Sequence, residues 1–411
     1  MRDILAPESG RWRRFTAVFA EVVEAAGYEH VIPPLMEDLG VFTRIGEATD
    51  VVTKEMYDFV DKGDRHVALR PEQTASVCRA FVQHRPTTPW KAWYAGPNFR
   101  YEKPQRGRYR QFDQVGVEVL GPEDPFVDVE VITLGWEFYR RLGLRQVELK
   151  LNSLGEPEDR ARYVEALRAL FAEAALSEQS RETLARNPLR VLDSKRSEDA
   201  SAIASAPTIA DYWSDAARAH FEVVRGGLDD LGVPYTLDRT LVRGLDYYRG
   251  TTFEYAGGTL DSAQNALGGG GRYDGLVEDL GGPPTPGIGF ALGLDRTLLA
   301  CDDEGVFPAP PLGVDVFVVD TTGGREALLL TSELRALGIS VDRAFDNRSM
   351  KSQMKAADRS GATLALIVGS DERVAGTVTV RPLRGEGQQF SVARAELAAR
   401  LPIHLQDASD D

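Results

Sequence analysis

Two cysteines in 411 residues, Cys78 and Cys301, lie far apart, and neither has a second thiol at C-x-x-C spacing. That scarcity excludes a zinc ribbon or a disulfide framework as the basis of the fold, and it suits a reducing compartment. No apolar run approaches the roughly 20 residues that a membrane span needs, and the first residues lack the apolar stretch of a signal peptide. The expectation is a cytoplasmic protein with no membrane partner. Positive charge is also short, since 48 lysines and arginines against 63 acidic residues give a net charge of −15. At that balance the chain does not coat nucleic acid indiscriminately through phosphate neutralisation. Local fields still decide docking, and residues 343 to 384 carry eight basic side chains against four acidic ones.

With 43% hydrophobic and 27% charged residues, the chain has the make-up of a soluble globular protein. Its length calls for two or three domains. The stretch around which it is organised runs from Phe99 to Gly121, FRYEKPQRGRYRQFDQVGVEVLG. Trp93, Tyr94 and Phe99 before its charged loop, and Phe112, Val115, Val117, Val119 and Leu120 after it, predict two strands. Lys103-Pro104-Gln105-Arg106-Gly107 supplies the turn. Between Phe99 and Phe112, Arg100, Lys103, Arg106, Arg108 and Arg110 stand against only Glu102, so the hairpin presents a cationic surface, and arginine forks match phosphate oxygens in pairs. On the returning strand Gln114, Gly116 and Glu118 share one face. That places an amide and a carboxylate along a cavity floored by glycine, or along the outer face of a solvated hairpin.

Residues 9 to 26 space Trp12, Phe15, Phe19, Val22, Val23 and Ala26 as one helix face, with Ser9 placed to cap it and Gly27 to end it. YEHVIPPLME follows as a strand that Pro33 and Pro34 confine to an edge or interface. In VALRPEQT, residues 67 to 74, a strand ends at Pro71. Glu72 and Thr74 then head a helix, where a carboxylate ordinarily answers the helix dipole. Between 155 and 235 helix formers dominate, predicting an inserted helical domain with no catalytic constellation.

In LVRGLDYYRGTTFE, residues 241 to 254, adjacent Tyr247 and Tyr248 on a strand point to opposite faces, so only one easily lines a given pocket. The glycine run of GGGGRYDGL, residues 268 to 276, reads as a flexible turn. It lacks the companions of a P-loop or a dinucleotide fingerprint, although glycines let a backbone approach a ligand. GIGFALGLDRTLLAC, residues 287 to 301, reads as a strand and a helix bearing Asp295 and Arg296, an arginine that by itself implies no more than a salt bridge. After a stiff linker at Pro308, Pro310 and Pro311, strands and helices alternate, which predicts a parallel or mixed sheet. There Arg348, Lys351, Lys355 and Arg359 fall on one helix face, ordinarily a solvated one.

The Phe99–Gly121 stretch resembles motif 2 of the class II aminoacyl-tRNA synthetases in the form carried by the histidine enzymes. LVRGLDYY is a pattern of histidyl-tRNA synthetases in particular. Residues 9 to 34 resemble motif 1, which forms the homodimer interface, and residues 287 to 301 resemble motif 3. The resemblance covers essentially the whole chain and implies an α+β fold. Residues 1–310 would form an antiparallel sheet flanked by helices, interrupted by the helical insertion at 155–235, and residues 311–411 a C-terminal α/β anticodon-binding domain.

It also implies a histidine–tRNA ligase that converts L-histidine and ATP to histidyl-adenylate and then charges the 3′ end of tRNA(His). ATP would bring Mg2+ rather than rely on a protein-caged metal. The resemblance carries Arg243 and Arg100 as catalytic. It gives Glu72, Thr74, Arg100, Gln114, Glu118, Arg243, Tyr247, Tyr248 and Tyr273 to histidine, and Arg100, Glu102, Arg108, Tyr109, Phe112 and Arg296 to ATP. Lys103 and Gln105 sit where the family reads the tRNA acceptor end, and dimerisation would use the N-terminal helix and the Pro33-Pro34 strand. Gln73, where the family has glycine in RPEGT, and Asp113, where many relatives have histidine, are departures. The alternatives are a histidine-sensing regulatory paralogue of ATP phosphoribosyltransferase, which typically lacks the C-terminal domain, and a pure RNA-binding module, which would not need the three arginines.

Overall fold

The hairpin forms, and the main sheet grows from it. The computed structural model describes residues 2–44, 51–103, 105–242, 247–260, 265–384 and 387–407. Strands Trp90–Phe99 and Gln111–Leu120 pair antiparallel, from Trp90 opposite Leu120 to Phe99 opposite Gln111. Gly287–Gly293, Ala266–Arg272, Arg249–Gly257 and Val147–Ser153 add in that order, all antiparallel, and the short parallel strands Glu29–His30 and Thr236–Leu237 form the two edges. The proline-bordered strand is therefore at an edge, as its composition required.

One face of this sheet is covered by helices Glu8–Ala25 and Pro125–Arg141. Val115, Val117 and Val119 meet Phe15, Phe19, Phe138 and Phe290 in the core, with the Phe138 ring edge-on to Phe15 and Phe19 at 5.0 and 5.1 Å. The first helix ends where expected: Gly27 takes φ 81° and donates its N–H to Glu24 O. Its start differs, because the helix begins at Glu8 behind Pro7 without a side-chain cap. The N-cap position falls on Pro7, so Ser9 is two residues too far in to cap it.

Helices Pro157–Glu173, Glu178–Arg186 and Ala200–Ala204 share a second apolar cluster, in which Tyr163, Leu167, Phe171 and Leu189 join Phe81 and Tyr247. The next helix, Asp215–Asp230, sets Phe221, Val224 and Leu228 into the sheet core instead. A side chain at Gly227 would come within 2.7 Å of Val129, so the glycine permits that close helix contact. The last part of the 155–235 span is thereby a layer of the sheet domain rather than of the insertion.

The glycine run corrects the sequence expectation of a flexible turn. Ala266–Arg272 is a central strand. A Cβ on Gly270 would lie 1.9 Å from Gly289 O, and one on Gly268 would lie 2.6 Å from Ala291 O. Glycine is needed there because neighbouring backbones occupy the space.

Residues 1–308 and 309–411 form two compact units. The second has a five-stranded mixed sheet in the order Val341–Arg343, Val316–Asp320, Leu364–Val368, Thr377–Pro382, Phe390–Ala393, with the first three parallel and the last two antiparallel to their neighbours. Helix Arg325–Ala336 packs with Val316 and Val318, and helix Met350–Arg359 with Phe317 and Val319, so the two helices take opposite faces. Lys351, Lys355 and Arg359 border one surface hollow with Arg381. Arg348 precedes the helix and pairs with Asp346 at 2.9 Å. No helix among the described residues is long and apolar enough to cross a membrane.

Gly270→Ala should destabilise the sheet by at least the ~1–3 kcal/mol typical of overpacking. A thermal melt reads this against Gly226→Ala, where nothing lies within 4 Å of an added Cβ and the backbone is helical. Equal losses in the two variants would show that backbone crowding is not the reason for the run.

Candidate active site

A cavity of about 240 Å³ opens between the hairpin, the start of helix Thr74–His84 and the start of helix Leu294–Glu304. Arg100 follows directly on strand Trp90–Phe99. Its Nε donates to Pro71 O at 2.9 Å and its guanidinium lies 5.3 Å from the Phe112 ring centre. Arg296 occupies the first turn of helix Leu294–Glu304, donating from Nη1 to Ala266 O at 2.9 Å and from Nε to Gly107 O at 3.4 Å. Arg108 pairs with Glu102, whose Oε1 is 4.0 Å from Arg100 Nη1. Burial lowers the proton affinity of Arg296, and the fields of Arg108 and Arg100 lower it further. Two guanidinium groups from the hairpin and one from a helix far along the chain therefore converge on one cavity. Such an arrangement attracts a polyanion. Arg243 lies outside the described residues.

Glu72, Thr74, Gln114, Tyr247 and Tyr248 line the remainder of the cavity, together with Tyr109 and Phe112. The expectation that only one of the adjacent tyrosines would reach a pocket is overturned. Strand Arg249–Gly257 begins after them, so the two-residue alternation does not apply. Their rings stand 4.7 Å apart, tilted by 46°, on the same cavity. Glu72 also performs the ordinary helix-start task, accepting the N–H of Thr74 at 2.6 Å and of Ala75 at 3.0 Å. Burial raises its pKa. Gln114 is oriented by Asn98, whose side-chain amide donates to Gln114 Oε1 at 2.8 Å.

Glu118 and Tyr273 are not among the lining residues; they form the layer behind them. Gly116 explains why, because a Cβ there would meet the Tyr94 hydroxyl at 2.4 Å. The Tyr94 ring fills the space that the shared strand face seemed to reserve for a cavity floor. Glu118 accepts from Thr74 Oγ1 at 2.7 Å, Tyr94 OH at 3.1 Å and Tyr273 OH at 2.5 Å. Burial pushes its carboxyl up to about 8 despite these three donors. Lys103 and Gln105 are exposed on the hairpin loop, away from the lining, where Gln105 and Arg108 close the turn through paired backbone bonds of 3.1 and 2.9 Å.

Sequence reasoning assigned no role to several groups that the structure places here. Asn98 and Tyr94 share the strand face of Arg100, and their even spacing was the available signal. Gln73, Asp113, Gly268, Gly269 and Asp295 also line the cavity. Burial, and then the nearby Asp295 carboxylate, push Asp113 up to about 6.

An antiparallel sheet that gathers arginines from a hairpin and from a strand–helix junction over one cavity defines a class II aminoacyl-tRNA synthetase catalytic unit. The comparisons specify which. A family model described as histidyl-tRNA synthetase matches residues 1–155 and 159–297, and one for an anticodon binding domain matches residues 314–402. The chain is 47% identical over 405 residues to a histidine–tRNA ligase of Rhodococcus erythropolis, covering 97% of this chain and 95% of the relative. The crystal structure of an apo S. aureus histidyl-tRNA synthetase aligns at 36% identity and a TM-score of 0.81, covering 97% of each chain. The chain belongs to the histidyl-tRNA synthetase family. A Bacillus halodurans structure described as an ATP phosphoribosyltransferase regulatory subunit/histidyl-tRNA synthetase, at 22% identity and a TM-score of 0.64 over 86% of this chain and 94% of its own, shares the fold alone.

The raised carboxyl of Glu118 has a defined pH signature. The folded chain holds its proton between the ordinary value of 4.5 and about 8, while the unfolded chain has lost it. Stability therefore falls as pH rises through that window and levels off above it. Glu118→Gln should flatten this decline in thermal melts taken from about pH 5 to pH 9. Parallel curves for the two proteins would show that Glu118 does not carry the extra proton.

Proposed function

We propose that the protein activates L-histidine with ATP and transfers the histidyl group to the 3′ end of tRNA(His). Supporting this most directly is the convergence of Arg100, Arg108 and Arg296 on a cavity that continues into a pocket of small polar groups and paired tyrosines. In the first step a histidine carboxylate oxygen attacks the α-phosphorus of ATP, the bond to the bridging oxygen breaks, and pyrophosphate leaves. In the second a terminal ribose hydroxyl attacks the carbonyl carbon of the adenylate and AMP departs. Charge builds on phosphoryl oxygens in the first step, so fixed cations in a partly desolvated site supply much of the stabilisation. Arginine suits this because it stays protonated at physiological pH.

Arg100 and Arg243 serve as the catalytic groups, Arg100 on the α-phosphate and Arg243 on that phosphate and the histidine carboxylate. Arg296 holds the γ-phosphate, while Glu102, Arg108 and Tyr109 surround the nucleotide and Phe112 lies under the adenine. Glu72, Thr74 and Gln114 take the α-amino group. Glu118, Tyr247, Tyr248 and Tyr273 form the imidazole end, where a pocket that pairs both ring nitrogens rejects apolar rivals. Lys103 and Gln105 meet the tRNA acceptor end. Mg2+ enters with ATP and binds mainly through phosphate oxygens, as a hard ion that keeps much of its water. The protein acts in the cytoplasm as a homodimer. Ile32, Leu35 and Met36, exposed beside the edge strand Glu29–His30, support an interface there.

The regulatory-paralogue reading shares the fold, but a C-terminal unit matching an anticodon-binding domain and the arginine set favour the ligase.

Histidine-dependent ATP–pyrophosphate exchange, followed by charging of tRNA(His), tests the reading, and absence of exchange in the purified protein would overturn it. Arg100→Ala and Arg296→Ala should each lower kcat/KM for exchange by about 10²–10³-fold. Arg243→Ala should slow adenylate formation far more than it weakens histidine binding, whereas equal losses would make Arg243 an anchor only.

A further inference from the structure

Arg2 stands 293 residues from Asp295, yet its Nη2 donates to Asp295 Oδ1 at 2.9 Å. The same guanidinium lies 4.5 Å from the centre of the Tyr109 ring. Asp295 precedes Arg296 in the first turn of its helix, and Tyr109 follows Arg108 on the hairpin, and all four line the cavity. One side chain from the beginning of the chain thus touches both walls between which the nucleotide is placed. The hairpin loop also meets that helix through the 3.4 Å bond from Arg296 to Gly107 O, a 3.5 Å ion pair from Arg106 to Asp303, and Gly107, where a Cβ would fall 2.8 Å from Leu299, while the returning strand Gln111–Leu120 pairs with strand Gly287–Gly293, which leads into the helix.

We infer that Arg2 is a positioning residue for ATP, a clasp that holds Tyr109 of the hairpin and Asp295 of the following helix together and so fixes Arg108 and Arg296 at their working separation. The inference rests on the ATP site proposed above.

Charge explains why the clasp is needed. The Asp295 side chain is only 6% exposed, and burial raises its pKa while Arg2 pulls it down. Asp113 faces it from the neighbouring strand and raises the local negative charge, offset on its other side by Arg70. Without Arg2, Asp295 is a buried anion beside a second carboxylate, a costly arrangement that is relieved by proton uptake or by displacement of the helix start. Displacement moves Arg296, the next residue. Arg2 itself is half exposed, so its loss should leave the fold standing. An ordinary surface pair between the same residue types would contribute little. Here the consequence lies in what the buried partner positions.

Steady-state exchange kinetics on the full chain test this. In Arg2→Ala, KM for ATP should rise about tenfold, the scale of one lost hydrogen bond to a charged group. KM for histidine should stay near wild type. Arg2→Lys, which keeps the charge on Asp295 but not the guanidinium over the Tyr109 ring, should recover part of the loss. In an Asp295→Asn background the effect of Arg2→Ala should shrink, because the two act through one contact. An unchanged KM for ATP, an equal rise in both KM values, or full additivity with Asp295→Asn would each overturn the clasp. Absence of exchange in the wild-type protein would instead remove the ATP site on which it rests.

Discussion

Like charges gathered in a cleft repel, and the catalytic unit is built around making that tolerable. Arg100 and Arg296 are held by the carbonyls of Pro71, Ala266 and Gly107. Carbonyl dipoles fix a guanidinium without cancelling its charge. Arg108 has a close carboxylate, Glu102, which also stands near Arg100. The field is therefore left to be satisfied by whatever anion enters, and the geometry is settled before it arrives. Preorganisation of this kind spares the reorganisation that water would require in the transition state.

Holding those groups still places demands on the sheet beneath them. Gly268 and Gly270 press against strand Gly287–Gly293 so closely that no side chain fits, which sets the spacing between Ala266, whose carbonyl holds Arg296, and the helix that carries Arg296. Gly116 does the same for the other end, admitting the Tyr94 ring whose hydroxyl meets Glu118. Backbone permissiveness is usually a cost in a strand. In this sheet it is what allows two layers of function, a charged rim and a hydrogen-bonded floor, within a few residues of each other.

The sequence made some of this legible and hid the rest for definable reasons. Valines at 115, 117 and 119 and the apolar spacing from Trp12 to Val23 announce a strand and a helix because burial follows their periods, and both form. Motif 2 and motif 3 name Arg100 and Arg296, but only the fold shows that they share a cavity. Alternation failed at Tyr247 and Tyr248 because it assumes a strand that starts two residues later. It failed at Glu118 because a glycine, silent in a hydrophobic pattern, admitted a ring from the next strand. Local composition misled at 268–271, where glycine answers the needs of neighbouring strands and not its own flexibility. Arg2 carried no signal at all, since a contact across 293 residues leaves no trace in local pattern.

The two ends of the cavity are backed by different material, and that division follows from their chemistry. At the tyrosine-lined end, Tyr247, Tyr248 and Tyr273 belong to the same apolar cluster as Phe81, Leu276 and the side chains of helix Pro157–Glu173. A dry, close-packed wall keeps hydroxyls and the Glu118 carboxyl in fixed positions, and selectivity for a small polar ring depends on such fixed partners. The arginine-lined end is backed by the sheet core instead, where buried Leu267, Leu292, Leu294 and Leu298 flank Ala266 and Arg296 in the chain. It is bordered by a charged loop with exposed Lys103, Gln105 and Arg106. Helix Pro157–Glu173 therefore backs the tyrosine-lined end of the cavity.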